Sequence, residues 1–475
     1  MQIRRPSRRR LVRGSLAALV LALLAFAGVA TATHEASDLG PGTVESPANG
    51  STVVSTQGFY FAGHDVAERP ARLISAGPEA ETEWVHNGNF ETGKFYDVDP
   101  LPNGNLHVTT TVPGDTVVYE YDPETRSREW VERFDAEDTH DTELVGDELI
   151  VANMRNYNAT AGRNDDRVFA YNLTTDSVTW EWHFRSVYDR GDGGDYTGDW
   201  THVNDVDYVG NGRYLLSPRN MDQVLLLNRS TGEVDLRLGE DGDHSIIHEQ
   251  HNPDFFYDGD GNPTILVADS DNDRVVEYTY VGGEGLADGE WERTWTVTGF
   301  TWPRDADRLP NGNTLVTDTL NHRVVEITPE GEVVWEYYAP WAPYDAERPA
   351  HGPGADTTGP AMRDVGAGGT HAVHGGENAG VGSSPLVSDW IVATTADTPL
   401  SSLGTRAGRV WSHYVPFVRP VWMADWAFAA LLGATLVATG WGAGELVLAR
   451  GRVRAALGRL RQRGRRYVGD EDRAD

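Results

Sequence analysis

The sequence predicts an all-β fold, a six-bladed β-propeller, set between an apolar N-terminal segment and one apolar C-terminal helix. Three observations carry that prediction. The motif DPLPNGNLHVTTT at Asp99 returns 208 residues later as DRLPNGNTLVTDT at Asp307. Looser copies stand between them: His140-Asp141 before GDELIVANM, His202-Val203-Asn204-Asp205 before GNGRYLLSPR, and His251-Asn252-Pro253 before GNPTILVADS. Each copy continues into a second alternating strand (VVYEYD, RVFAYN, QVLLLN, RVVEYT, RVVEIT), and most close on a Trp-bearing third (EWVERF, TWEWHF, RTWTVT, VVWEYY). Units of about 40 to 50 residues, made of short strands joined by Gly, Asn and Asp turns, are the pattern of propeller blades.

Five blades begin near residues 96, 139, 201, 249 and 302. Residues 53–86 supply a sixth through GFYFAG, ARLISA and TEWVH, with ring closure shared with later residues. Seven blades, or two packed sandwiches, are the alternatives, and radial repetition explains the recurring unit more directly than either.

The elements follow in order. Residues 1–32 hold six arginines in the first thirteen positions and then a Leu, Ala and Val run, the pattern of an export signal. Ser7-Arg8-Arg9-Arg10-Leu11-Val12 resembles a twin-arginine motif and Ala30-Thr31-Ala32 a small-residue cleavage site, with a retained signal anchor as the alternative. Residues 41–345 are the propeller. Residues 346–420 form a Gly- and Pro-rich spacer and juxtamembrane segment, whose His351, His371 and His374 are spaced too irregularly for a metal tract.

Residues 421–449 are a transmembrane helix: Trp426 to Gly444 is a run of 19 uncharged residues edged by Trp422, Trp426 and Trp441. Residues 450–475 are an arginine-rich tail, with eight arginines between Arg450 and Arg466. Positive residues stay on the cytoplasmic side, so the tail is expected inside the cell membrane and the propeller on the extracellular side.

Composition narrows the function. The 475 residues carry 40 Lys+Arg against 72 Asp+Glu, a formal charge of −32, with no cysteine. That excludes a disulfide scaffold, a Cys-ligated zinc site and a Cys nucleophile. Lys94 is the single lysine, and an acidic, lysine-poor surface suits very high salt, so a halophilic source is expected. Nucleic acid is not an expected partner. The terminal segments 1–13 and 450–475 hold 15 of the basic residues and four of the acidic ones, which makes the outer portion more acidic still. Sequons at Asn49, Asn158, Asn172 and Asn228 lie in that portion.

In a propeller the loops entering the innermost strands converge at one mouth of the channel. Polar residues recurring there should therefore meet in space: Tyr96-Asp97, His140-Asp141, His202 with Asn204, His251-Asn252 and Arg304-Asp305. Arg219, Arg274 and Arg323 follow further along. Imidazole, amide and guanidinium groups are suited to an anion, since a guanidinium fork matches sulfate or phosphate oxygens and imidazole works as acid, base or nucleophile. Such chemistry requires neither metal nor cofactor. Calcium is disfavoured at the run beginning Asp258, Asp260, Asn262, because Pro263 stands where such loops require Gly.

On the segments WTHVND with LLSPRN, EQHNPDFF and WPRDADRLPNGNTLVTD, residues 41–345 resemble the arylsulfate sulfotransferases. These are exported six-bladed propellers that move a sulfuryl group from one phenol to another without a nucleotide cofactor. By motif position the resemblance makes His202, His251, Asn252 and Arg274 the groups that bind the sulfuryl oxygens and the leaving phenolate, with Arg219 a further candidate. Joined to the residues recurring at the mouth, the expected site has His202, His251 and Arg304 as catalytic residues and His140, Asn204, Arg219, Asn252 and Arg274 as substrate-binding ones. The resemblance implies a small anionic aryl sulfate and a phenolic acceptor as partners. The family's sulfated histidine lies where this chain has Arg304, so another imidazole carries the group, or transfer is direct, or the protein binds without catalysis. The family's cysteine pair is absent.

DSDNDRVVEY at Asp269 and DTLNHRVVEI at Asp318 resemble NHL-type propeller repeats. In that alternative Asn272, Arg274, Asn321, His322 and Arg323 stabilise turns, and the protein is a non-catalytic cell-surface propeller that binds a glycan or protein.

Overall fold

A computed structural model describes residues 8–34, 38–58, 70–87, 93–283, 289–352, 359–376 and 386–471, with side chains in the last helix to residue 451. Two compact units emerge, one of helices (1–36, 385–411 and 418–475) and one built on the propeller (37–384 with 412–417).

Among the described residues the propeller has six blades, each a four-stranded antiparallel sheet. Blade II runs Lys94–Pro100, Leu106–Val112, Asp115–Asp122, Ser127–Phe134, and blade III runs Thr142–Val145, Glu148–Asn153, Arg167–Asn172, Ser177–His183. Blade IV is Val203–Tyr208, Arg213–Pro218, Gln223–Asn228, Val234–Gly239, and blade V is His251–Tyr257, Pro263–Asp269, Arg274–Gly282, Glu290–Thr298. Blade VI is Asp305–Arg308, Thr314–Asp318, Arg323–Ile327, Val333–Tyr338.

Blade I closes the ring. Its inner strand Pro343–Glu347 comes from the far end of the repeat and pairs with Thr52–Thr56, followed by Arg72–Ala76 and Thr82–Asn87. The N-terminal strand Gly40–Val44 in turn adds a fifth, outer strand to blade VI. Six blades and shared closure are thus both present. In blade I the strand expected from GFYFAG is instead TVVST; residues beyond Gly58 in that segment lie outside the described residues.

Alternation along each strand builds the core. Leu215 and Leu216 are adjacent, yet Leu216 packs with blade III residues such as Trp182, while Leu215 packs with blade V residues such as Ile265. A period of two sends successive side chains to opposite faces of the sheet, so each blade buries both faces against its neighbours. The Trp-bearing outer strands lock adjacent blades at the rim. Trp182 Nε1 donates to the Gly232 carbonyl at 3.0 Å, Trp295 to Pro329 at 2.8 Å and Trp335 to Pro78 at 3.1 Å. The LPNGN repeat is a clasp: Asn103 and Asn105 both donate to Glu120, as Asn311 and Asn313 both donate to Glu326.

Within residues 346–420, expected as spacer, Gly369–Ala372 forms a strand parallel to the outer strand of blade V. Gly369 (φ 115°) starts it, and the strand covers an open edge that would otherwise leave backbone groups unpaired. The same stretch contains helices α2 (Val387–Thr395) and α3 (Ser401–Val418), between α1 (Arg8–Ala32) and α4 (Asp425–Glu471) in chain order.

By length and composition α1 and the first 27 residues of α4 could each cross a membrane. In the helical unit these two pack antiparallel, Leu23, Ala27 and Ala30 against Met423, Ala427 and Ala430, with Arg9 and Arg13 paired to Glu445 at the other end.

Candidate functional site at the channel mouth

The turn entering most inner strands repeats one backbone feature. Asp138 (φ 58°), His202 (45°), Glu249 (46°), Trp302 (57°) and Ala342 (55°) all adopt the left-handed conformation. Non-glycine residues pay strain there, so a turn that recurs in five blades is set by the architecture rather than by one side chain. Two residues on stand His140, Asn204, His251, Arg304 and Tyr344, with Tyr96 in the corresponding place of blade II. The register therefore makes Asn204 the partner of His140 and His251 in the repeat. His202 sits on the strained turn itself, two positions earlier than its expected equivalence.

The next residue is Asp97, Asp141, Asp205, Asp305 or Asp345, and Asn252 in blade V. These carboxylates staple neighbouring blades: Val98 N–H donates to Asp345 at 2.8 Å, Val206 N–H to Asp141 at 2.5 Å and Ala346 N–H to Asp305 at 3.1 Å. Blade V departs from the pattern because Pro253 has no N–H to give. Burial, then the neighbouring acids Asp99, Asp141 and Asp345, push Asp97 well above the usual carboxylate range. Burial, Asp305 and Asp141 do the same to Asp345.

Above this layer the predicted residues meet as a chain of rings. His140 lies 5.0 Å from His202 and 5.3 Å from Tyr344, and Tyr344 lies 5.9 Å from His251, centroid to centroid. Tyr96 stacks on His140 at 3.9 Å. Arg304 lies over Trp302 at 3.8 Å and over Tyr344 at 5.2 Å, and its Nη1 bonds His251 Nε2. All six of His140, His202, His251, Arg304, Tyr96 and Tyr344 are buried.

The three histidines are differently committed. Ser270 Oγ donates to the Pro303 carbonyl at 2.6 Å, which leaves it to accept from His251 Nδ1–H at 2.8 Å. His251 is then a neutral ring whose Nε2 lone pair accepts from Arg304. His140 Nδ1 lies 2.9 Å from the Tyr344 hydroxyl, and Nε2 lies 3.8 Å from Asp138. His202 Nδ1–H is held by Asp199 at 2.8 Å, while its Nε2 is buried with no hydrogen-bond partner among the described residues. Burial, seconded by Arg219, holds the His202 ring well below the ordinary histidine range, and burial with Arg304 does so for His251. Burial brings His140 down to about 4. Against burial, the N–H of His202 and the Arg155 guanidinium hold Asp199 below the usual carboxylate range.

Cationic side chains gather at the mouth. Lys94 and Arg155 pair with Asp138 at 3.3 and 2.8 Å. Arg155 also reaches Asp199 at 3.2 Å, and Arg219 stands 3.6 Å from Glu249. With Arg304, four cationic groups face three carboxylates beside neutral imidazoles. Beside them, Asn204 Oδ1, Asn252 Oδ1 and Arg304 Nε are among the buried atoms with no hydrogen-bond partner among the described residues.

The structure brings together His140, His202, His251 and Arg304, with Asn204, Arg219 and Asn252 beside them. Arg274 is engaged elsewhere: it donates to Asp269, Ser245 O (3.2 Å) and Ile246 O (2.8 Å). Arg323 likewise clasps Asp318 and Glu336 at 2.8 and 2.9 Å. Both hold turns, as the NHL-type motif implies. The run at Asp258 closes on itself, its carboxylate accepting from Asp260 N–H (3.0 Å) and Asn262 N–H (2.7 Å). Tyr344, Asp138, Asp199 and Arg155 were not singled out from sequence. The recurring Tyr-Asp and Arg-Asp pairs before an inner strand were the signal for Tyr344; nothing local marks the other three.

Fold and site define a six-bladed propeller with a histidine- and arginine-lined mouth. Residues 175–339, from the last strand of blade III to the end of blade VI, match the arylsulfotransferase (ASST) family model. That match bears out the resemblance over blades carrying His202, His251 and Arg304, and supports an arylsulfotransferase-like function in general terms. No curated protein matches the chain. Among solved structures, a protein of unknown function from Bacteroides caccae is similar at 13% identity, over 63% of this chain and 98% of that one, with a TM-score of 0.41. Virginiamycin B lyase from Staphylococcus aureus is similar at 10% identity, over 54% and 74%, with a TM-score of 0.34. Hydrazine synthase from Kuenenia stuttgartiensis is similar at 12% identity, over 57% and 80%, with a TM-score of 0.33.

Proposed function

We propose that the protein transfers a sulfuryl group from an aryl sulfate to a phenolic acceptor, and that His202 Nε2 carries the group between them. The observation that supports this choice is the Asp199–His202 pair: a neutral ring, its Nδ1–H held at 2.8 Å, with a buried Nε2 that has no hydrogen-bond partner among the described residues. His251 lacks that freedom, since its Nε2 already accepts from Arg304. His251 positions the guanidinium.

In the first step the Nε2 lone pair forms a bond to sulfur as the bond to the aryl oxygen breaks, and the phenolate leaves with the electron pair. In the second the acceptor oxygen attacks sulfur, the N–S pair returns to Nε2, and the phenol proton passes to solvent. Arg219 and Arg304 face the charge on the sulfuryl oxygens and on the leaving phenolate. Asn204 Oδ1 and Asn252 Oδ1 can accept from the incoming hydroxyl. The two apolar helices anchor the protein in the cell membrane, with the propeller outside and the arginine-rich ends inside.

The test is phenol release from a chromogenic aryl sulfate by the full-length detergent-solubilised protein in multimolar salt, with and without an acceptor phenol. The expected result is acceptor-stimulated release, a sulfuryl adduct on His202 in quenched donor-only samples, and loss of both in His202→Ala. Acceptor-independent inactivity of the folded protein, with a stability increase on a glycan or protein partner, would replace this reading by the NHL-like receptor.

A further inference from the structure

A second cluster of ligating groups stands beside the mouth, outside the transfer chemistry. Asp222, His244 and His248 present one ligand atom each, all within 4.8 Å of one another. Asp222 Oδ2 lies 3.2 Å from His244 Nε2, and the two imidazoles stack with centroids 3.7 Å apart and planes 12° from parallel. Atoms sharing one tetrahedral zinc ion, at about 2.0–2.2 Å each, lie about 3.4 Å apart. To share one ion the two imidazoles would have to turn out of this stack so that their nitrogens converge. Two imidazoles and one carboxylate are the donor set of zinc and its neighbours rather than of calcium or magnesium.

The backbone around both histidines is held in place by the turn at residues 269–274. Asn272 Nδ2 donates to the His244 carbonyl at 2.9 Å, and Arg274 donates to the carbonyls of Ser245 and Ile246. His248 N–H donates to Asp269 at 2.7 Å, and its carbonyl accepts from Asp271 N–H at 3.1 Å. Asp222 is buried, and its carboxylate accepts from Gly242 N–H at 3.2 Å and Glu249 N–H at 2.9 Å, spanning the two ends of the same loop. A donor set carried on a loop this thoroughly bonded is pre-organised in the way metal sites require. It also gives Arg274 a role at one remove from the mouth.

We propose that Asp222, His244 and His248 form a zinc-class site that ties down the loop delivering His251. The path is short: Asp222 holds the Glu249 N–H, and the Glu249 carbonyl lies 3.1 Å from His251 Nδ1. The fourth position is left to water. This proposal is independent of the transfer reaction and stands if no sulfuryl group is moved.

The test uses the full-length, tag-free protein stripped with chelator and then given Zn2+ alone. Uptake of one equivalent per chain, a rise in melting temperature with Zn2+, and the visible bands of a tetrahedral complex with Co2+ are expected. His244→Ala and His248→Ala leave the Asp222 backbone bonds in place, so both variants should melt like the parent without metal and bind Zn2+ at least about tenfold more weakly. Zn2+ affinity unchanged in both variants, no uptake at all, or equal stabilisation by Ca2+ would overturn the proposal.

Discussion

Replacing Asp345 by Asn should stabilise the protein at neutral pH, although Asp345 is buried at the centre of the ring. Its raised pKa means that the folded state keeps a proton which the unfolded chain releases near pH 4. A raised carboxyl favours folding fully only below that ordinary value, and the advantage drains away as pH rises towards the folded pKa. Over that window the slope is one proton, about 1.4 kcal/mol of lost stability per pH unit. Asn reproduces the protonated acid: its carbonyl can accept from Val98 N–H, now 2.8 Å from Asp345 Oδ2, and its amide keeps a donor towards the neighbouring acids. Blade V already carries Asn252 at this place. The assay is denaturant unfolding at pH 5 and pH 6 for parent and variant in the same salt and detergent. The buried histidines, lowered in the fold, push the other way, gaining stability as pH rises towards about 6.5, but they are common to both proteins and cancel. The variant should gain on the parent across that unit, by at most about 1.4 kcal/mol. Parallel pH profiles, or a variant less stable than the parent at both pH values, would show that Asp345 is ionised in the fold and refute the reasoning.

Two further outcomes follow from the mouth. Because burial holds His202 and His251 well below the ordinary range, donor turnover should pass through the ordinary imidazole value of about 6.5 without a bend, and a bend there would show a solvent-like imidazole instead. Asp199→Asn removes a charge-assisted bond to His202 Nδ1 and frees the ring to take its other tautomer, so transfer should fall by about 10- to 100-fold with the fold intact; unchanged turnover would move the chemistry off this histidine.

Much of the architecture was legible because propeller blades repeat it. The LPNGN turn, the second strand and the closing Trp each recur, and each has a local physical cause: an Asn–Glu clasp, alternation between two buried faces, and an indole reaching the next blade. The ring-closing strand was only hinted at, since APYDAERP reads as a proline-rich exit and its pairing partner lies nearly 300 residues away. Site residues on inner strands were visible for the same repetitive reason. The two-residue offset of His202 was not, because it depends on a backbone conformation that recurs with Asp, His, Glu, Trp and Ala in turn. Arg274 shows the reverse failure: a guanidinium near a mouth suggests an anion, yet its partners Asp269, Ser245 and Ile246 are fixed by a turn that only the folded chain displays. Asp199 and Arg155 lie in irregular loops where spacing carries no information.

The strand that closes the ring carries Tyr344, which touches His140, His251 and Arg304. Synthesis proceeds from the other end, so the polypeptide has made every other wall of the mouth before residues 343–347 leave the ribosome. Until they do, the mouth stands open on one side, and Arg304 has Trp302 and His251 beside it but not the Tyr344 ring. Competence arrives in one event, at the last stitch, and a chain cut short before it would be a ring without an occupation.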